Sequence, residues 1–113
     1  MKQNEIWLVK YDPSIGHKFQ KSRPAVIISS DSALQYSNLI TVMAITSNID
    51  DCLDIDIKIT KDGDNKLYSD SIIKVCHISS FDKSRFIKKI GMIDKLISNE
   101  IENYIKKHFN IKE

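Results

Sequence analysis

The chain has 113 residues, which suits a single domain over residues 1–113 with one closed hydrophobic core. Hydrophobic residues make up 42% and charged residues 28%, values that exclude a disordered tail. The net charge of +2 is too small to announce a nucleic-acid partner, yet it is unevenly spread: residues 1–30 carry +3, residues 31–70 carry −5 and residues 71–113 carry +4.

Glu5–Lys10 contains the apolar run Ile6, Trp7, Leu8 and Val9 and reads as a strand. Asp12-Pro13 ends it. Residues 14–22 (SIGHKFQKS) are polar and basic, lack a helical or alternating period, and read as a loop. Arg23 opens a second strand, RPAVIISS, with Pro24 near its start, where a missing N–H is tolerated. Residues 31–38 predict a short helical turn with Asp31 as its cap. Leu39–Thr46 (LITVMAIT) reads as a strand buried on both faces, and residues 47–51 as a loop. Residues 53–60 (LDIDIKIT) alternate with period two, which predicts a half-buried strand whose polar face carries Asp54, Asp56 and Lys58.

Asp62-Gly63 is a turn signal. Residues 71–78 (SIIKVCHI) read as a strand, Asp82-Lys83-Ser84 as a turn, and residues 86–93 (FIKKIGMI) as a kinked strand. In the last segment Ile97, Ile101, Tyr104, Ile105, His108 and Phe109 fall on one helical face. Ser98 is the expected N-cap, with Glu100 and Glu102 in the first turn and Lys106 and Lys107 in the last, as the helix dipole prefers. Several short strands followed by one helix predict a mainly β protein built as a small barrel.

Cys52 and Cys76 match neither a CxxC pair nor a zinc-ligand spacing and read as free thiols in a reducing compartment. The N-terminal MKQNEIWLVKYD has only a short apolar stretch between charges, which predicts a cytoplasmic protein with neither signal peptide nor membrane span. An acidic middle between two basic ends predicts faces of opposite sign, the positive one attracting phosphates; the plainer alternative is a solvated surface of mixed charge. The acidic residues Asp50, Asp51, Asp54 and Asp56 lack a calcium-loop pattern and read as a solvated face that discourages edge-to-edge aggregation.

The stretch EIWLVKYDPSIGHKFQKSRPAVIIS resembles the opening of MazF/PemK (Kid) toxins: a Glu-Ile-Trp-Leu-Val strand, an Asp-Pro loop, then Arg-Pro and an apolar strand. VMAITSN resembles their next core strand, VCHISSFDKSRFIKKIG their later strand and turn, and LISNEIENYIKKHF their closing helix. The resemblance spans nearly the whole chain in order. It implies a small SH3-like β-barrel with a C-terminal helix, usually homodimeric. It further implies cofactor-free and metal-free cleavage of single-stranded RNA at short sequences, and a cognate antitoxin whose acidic C-terminal segment covers the RNA groove. The catalytic pair implied is Arg23 and Thr46. Two positions depart from the pattern. The later strand often holds Asp-Gln or Glu-Gln followed by Ile-Arg, where this chain has Cys76, His77, Ile78 and Ser79. A Gly usually precedes the first strand, where this chain has Asn4.

These residue types suit metal-free RNA cleavage. The 2′-hydroxyl attacks the adjacent phosphorus, which requires a proton acceptor, stabilisation of negative charge and protonation of the leaving 5′-oxygen. Arg23 carries a permanent planar charge that can grip two phosphate oxygens; its plain reading is a surface arginine. Thr46 offers a hydroxyl donor, against a plain role as a β-branched strand end. His17 titrates near neutrality, at about pH 6.5 when unperturbed, which suits an acid or base. Lys18, Phe19, Gln20 and Lys21 in the loop, Ser47 beside Thr46, and Lys74 and His77 on the later strand are the expected RNA contacts, with Phe19 as the stacking ring. A metal reading of His17, Cys76 and His77 matches no common site. Two further readings stay open. CcdB-type toxins resemble this fold but bind DNA gyrase, although Arg-Pro and Thr-Ser favour the RNA-cleaving branch. The Cys76-His77 departure also leaves room for a member that binds RNA or antitoxin without cutting.

Overall fold

Strands form where β-branched and apolar residues run together or alternate, and the helix forms where the apolar period lengthens. In a computed structural model, which describes residues 1–11 and 22–112, the elements are β1 (Glu5–Lys10), β2 (Ser22–Ile27), α1 (Asp31–Tyr36), β3 (Leu39–Thr46), β4 (Ile57–Ile59), β5 (Ser71–Asp82), β6 (Phe86–Met92) and α2 (Lys95–His108). The six strands make one antiparallel sheet in the order β4-β5-β3-β2-β1-β6. This mainly β architecture with a closing C-terminal helix is the one the strand pattern predicts.

The sheet curls around a core that draws on both of its edges. Ile57 and Ile59 of β4 share one buried cluster with Ile6 of β1, Met43 of β3 and Ile93 just beyond β6. Ile101 of α2 is buried in the same cluster, and Ile97, Tyr104 and Ile105 pack against it. The opposite face buries Val9, Ala25, Ile27, Val42 and Phe86, with Leu34 of α1 and Trp7 packed beside them.

The turn that follows β4 completes the curl. Asn65 is buried, its Oδ1 accepts from the N–H groups of Asp62 and Leu67, and its Nδ2 donates to the Thr60 carbonyl. So braced, the turn reaches β6 at the far edge, where the Met92 N–H donates to the Asp64 carbonyl at 3.0 Å. Gly91 lies against the Asp64 and Asn65 carbonyls so closely that a Cβ there would overlap both.

Asn4 stands where the resemblance expects glycine, and its φ of 75° lies in the left-handed region that asparagine tolerates better than most residues. Its N–H donates to the Ile27 carbonyl, its own carbonyl accepts from Ile93, and its Oδ1 accepts from Ser98 Oγ at 3.1 Å. One residue thus ties β2, the end of β6 and α2 together.

Several local expectations shift. Asp94, not Ser98, caps α2, with its Oδ1 accepting from the Ile97 N–H at 2.9 Å. Ser30, not Asp31, caps α1, because the Asp31 carboxylate accepts from the Gln3 N–H instead. The expected strand over residues 53–60 shrinks to Ile57–Ile59, since the Asp56 carboxylate accepts from the Leu53 N–H and folds the chain into a turn.

Candidate functional site

The ladder between β2 and β3 ends at the pair Ala25–Ala44. Two residues further along, Arg23 and Thr46 occupy matching positions on the two strands. Each is held from its outer side: Arg23 pairs with Val9 of β1, and Thr46 pairs with Ile72 of β5. Alternation from Val9 and Ala25 assigns Arg23 to the face that carries the second apolar cluster.

The two side chains are set up differently. Arg23 is exposed and Thr46 half-buried. Thr46 Oγ1 accepts a hydrogen bond from the Asn48 N–H at 3.1 Å. A hydroxyl that accepts in this way keeps its own proton available to donate. Ser47 is exposed at the same strand end.

Tyr11 and Arg85 join this region, although the sequence reading singled out neither. Burial pushes the Tyr11 phenol up to about 12, opposed in part by the nearby Arg23 cation, so Tyr11 is neutral at physiological pH. Its ring meets Phe81 edge-on at 4.7 Å, and the Arg85 guanidinium lies over Phe81 at 5.7 Å from the ring centre. Arg85 Nε donates to the Lys10 carbonyl at 2.8 Å, which ties the turn Lys83–Arg85 to the end of β1. The available signal was the Asp-Lys-Ser-Arg turn, whose arginine is Arg85.

The later strand departs most from expectation. On β3, Met43 pairs with Ile78 and Ala44 with Lys74, so β5 carries three extra residues, Val75, Cys76 and His77, between adjacent partners. Val75 turns into the core, while Cys76 and His77 are exposed. Cys76 Sγ lies 3.3 Å from the Tyr104 hydroxyl, which is 3.0 Å from His108 Nδ1. The bond with Cys76, followed by burial, pushes Tyr104 up to about 12. Both cysteines are free thiols.

Lys74, expected to meet RNA, is buried. Its Nζ donates to the Asp51 carbonyl at 2.6 Å and to Asp56 Oδ2 at 2.7 Å. Asp56, expected on a solvated face, has a fully buried side chain. Burial alone would raise its carboxyl, but the hydrogen bond from Lys74 outweighs this and, with the Leu53 N–H, holds it below the ordinary value. The hydrogen bond to Asp56 in turn raises Lys74.

The structure therefore brings Arg23, Thr46 and Ser47 to one strand end, leaves His77 exposed on a bulge of the strand next to β3, and removes Lys74 from the surface. His17, Lys18, Phe19, Gln20 and Lys21 lie outside the described residues. Among the described residues, no three His, Cys, Asp or Glu side chains are grouped to hold a metal ion. No helix among them is long and apolar enough to cross a membrane.

Residues 2–109 match the family described as "PemK-like, MazF-like toxin of type II toxin-antitoxin system". Among curated relatives, Endoribonuclease MazF of Staphylococcus saprophyticus is 30% identical over 93% of this chain and 88% of its own length. Endoribonuclease MazF9 of Mycobacterium tuberculosis is 27% identical over 98% of each chain. Among solved structures, MazE-MazF (Form-II) from Deinococcus radiodurans superposes with a TM-score of 0.79 at 16% identity, covering 99% of this chain and 97% of that one. That likeness is one of fold.

Proposed function

This chain belongs to the PemK-like, MazF-like toxin family of type II toxin–antitoxin systems, and on that premise we propose that it is an endoribonuclease that cuts single-stranded RNA without a metal ion. The relatives named Endoribonuclease MazF and Endoribonuclease PemK support the reaction class. The observation that carries the assignment to these residues is the matched placement of Arg23 and Thr46 on β2 and β3, with the Thr46 hydroxyl proton available.

In the proposed reaction the 2′-oxygen attacks the adjacent phosphorus and loses its proton, and the bond from phosphorus to the 5′-oxygen breaks. The 5′-oxygen gains a proton, which leaves a 2′,3′-cyclic phosphate and a 5′-hydroxyl. Arg23 neutralises the charge that builds on the phosphoryl oxygens, and Thr46 donates to one of them. His17 carries a proton in this scheme. DNA lacks the attacking hydroxyl and is spared.

The protein acts in this reading as a cytoplasmic homodimer held in check by an antitoxin with an acidic C-terminal segment, which the basic first and last segments attract. The structure titled "Endoribonuclease in complex with its cognate antitoxin from Mycobacterial species" supports a partner of that class. The test is incubation of the purified protein with long single-stranded RNA in EDTA, beside Arg23→Ala. Cleavage by the parent alone, with cyclic-phosphate and 5′-hydroxyl ends, is the expected result. Cleavage by a folded Arg23→Ala protein, or cleavage only after metal is added, would overturn the mechanism.

A further inference from the structure

A cleft of about 540 Å³ opens where the segment after the β4 turn passes beside β1, β2 and β6. Its floor is apolar: Leu8, Ile45, Leu67 and Ile90 line it. Its rim is cationic, formed by Lys66, Lys88 and Lys89, and among the described residues no carboxylate lines it. Tyr68 also lines it and is 99% exposed, so its ring makes almost no contact with the rest of the protein. Lys89 spends part of its charge on Glu5 at 3.2 Å. Among the described residues, Lys66 and Lys88 have no carboxylate partner within ion-pair distance.

A tyrosine packed for stability would bury its ring, and lysines kept only for solubility would be interspersed with acids. This arrangement instead places an unused aromatic face and free cations around an apolar hollow of small-ligand size. A nucleotide matches both halves of it: a planar base for the ring and the apolar floor, and an anionic phosphate for the lysines. The cleft opens on the sheet face opposite the one that carries Arg23 and Thr46, with their chain neighbours Pro24 and Ser47 in its wall, so a strand held at the pair would enter it by passing around the ends of β2 and β3.

We propose that this cleft is a second, non-cleaving RNA-binding site, in which Tyr68 stacks on a base of the same single strand that is cut at Arg23 and Thr46, while Lys66 and Lys88 hold its phosphates. The proposal rests on the ribonuclease reading for the identity of the strand. Its role is to lengthen the grip on RNA beyond the scissile bond, so substrates that extend into the cleft bind more tightly than short ones.

The test uses the whole protein and a fluorescein-labelled 2′-O-methyl RNA of about 12 nucleotides, a length within the span that single-strand binders cover. This probe lacks the attacking hydroxyl and reports binding alone. Cleavage of unmodified RNA is followed in parallel. Tyr68→Ala is expected to raise Kd about tenfold, and Tyr68→Phe, which keeps the ring, to bind like the parent. Lys88→Ala is expected to lower the slope of log Kd against log salt by about one. Both side chains are exposed, and circular dichroism checks the fold.

If RNA is cut but folded Tyr68→Ala and Lys88→Ala bind the probe like the parent, the cleft is overturned and the ribonuclease reading stands. If Tyr68→Ala weakens binding while unmodified RNA stays intact, the cleft stands and the ribonuclease reading falls. A parent that fails to bind the probe, or equal losses in Tyr68→Ala and Tyr68→Phe, overturns the stacking site.

Discussion

The Lys74 ammonium donates to Asp56 Oδ2 at 2.7 Å with only 7% of the lysine side chain and none of the aspartate side chain exposed. The same ammonium bonds the Asp51 carbonyl, and Asp56 Oδ1 accepts from the Val75 N–H at 3.3 Å. One ion pair therefore fastens the segment between β3 and β4 onto β5, beside the bulge that exposes Cys76 and His77. Breaking a buried pair from one side strands the remaining charge, whereas replacing both partners by apolar groups removes the conflict. Asp56→Ala is expected to lower Tm by more than about 10 °C. The double variant Lys74→Met/Asp56→Leu should recover part of that loss. Thermal unfolding followed by circular dichroism decides this, and a double variant less stable than Asp56→Ala would contradict it.

The pH dependence of stability follows from the same groups. Asp56 and Glu5 are held below their ordinary values of 3.8 and 4.5 in the folded protein. Their contribution is present above those values and is lost as pH falls through the lower folded values. Lys74 is raised above its ordinary 10.5, so its contribution holds below that pH and is lost as pH climbs through the folded value. Tyr11 and Tyr104, each raised from 10.0 to about 12, stay neutral in the folded chain while the unfolded chain ionises, which erodes stability above pH 10. A flat stability profile between roughly pH 5 and pH 10 is expected from these groups. Urea midpoints across pH measure it, and Tyr11→Phe should soften the alkaline loss.

At the candidate catalytic pair, Arg23→Ala is expected to cut the cleavage rate on the order of a hundred- to a thousand-fold, the usual cost of removing a donor to a developing oxyanion. Arg23→Lys keeps the charge but loses the planar fork, and should fall between parent and alanine variant. Thr46→Ser keeps the hydroxyl and should retain most activity, whereas the isosteric Thr46→Val should lose it. Single-turnover cleavage with folded proteins measures all four. Equal activity in Thr46→Ser and Thr46→Val would show that the hydroxyl has no part in the chemistry.

Gly91 and Gly63 give opposite expectations for the same substitution. A Cβ at Gly91 would run into the carbonyls of Asp64 and Asn65, which are backbone and cannot swing aside, while a Cβ at Gly63 meets nothing within 4 Å. Gly91→Ala should therefore destabilise by about 1–3 kcal/mol through overpacking, and Gly63→Ala should be near neutral. Denaturant unfolding distinguishes them. A neutral Gly91→Ala would mean that the Asn65-braced turn does not hold β6 as closely as described.

The sequence by itself determined the elements. The β-branched run of Leu39–Thr46 and the 3.6-residue period through Ile101 and Tyr104 are local signals, and they placed a core strand and a closing helix where the structure has them. Arg23 and Thr46 stand out as candidates through the motifs around them, Arg-Pro and Thr-Ser. What lies opposite each residue was decided by the tertiary structure alone. Lys74 reads as an exposed RNA contact until the fold sets it against the carboxylate of Asp56, 18 positions earlier in the chain. Alternation shows that Asp54 and Asp56 share a side, but whether that side meets water or an ammonium depends on the path of the loop. The bulge at Val75, Cys76 and His77 is set by the β3–β5 register, which no local period encodes. The cleft beneath Tyr68 is lined by Leu8, Pro24, Ile45 and Ile90 together with the segment after β4, residues distant in the chain that only the folded sheet brings together. Periodicity follows from neighbours along the chain, whereas ion pairs, bulges and clefts follow from contacts between distant segments, and those are fixed only when the sheet closes.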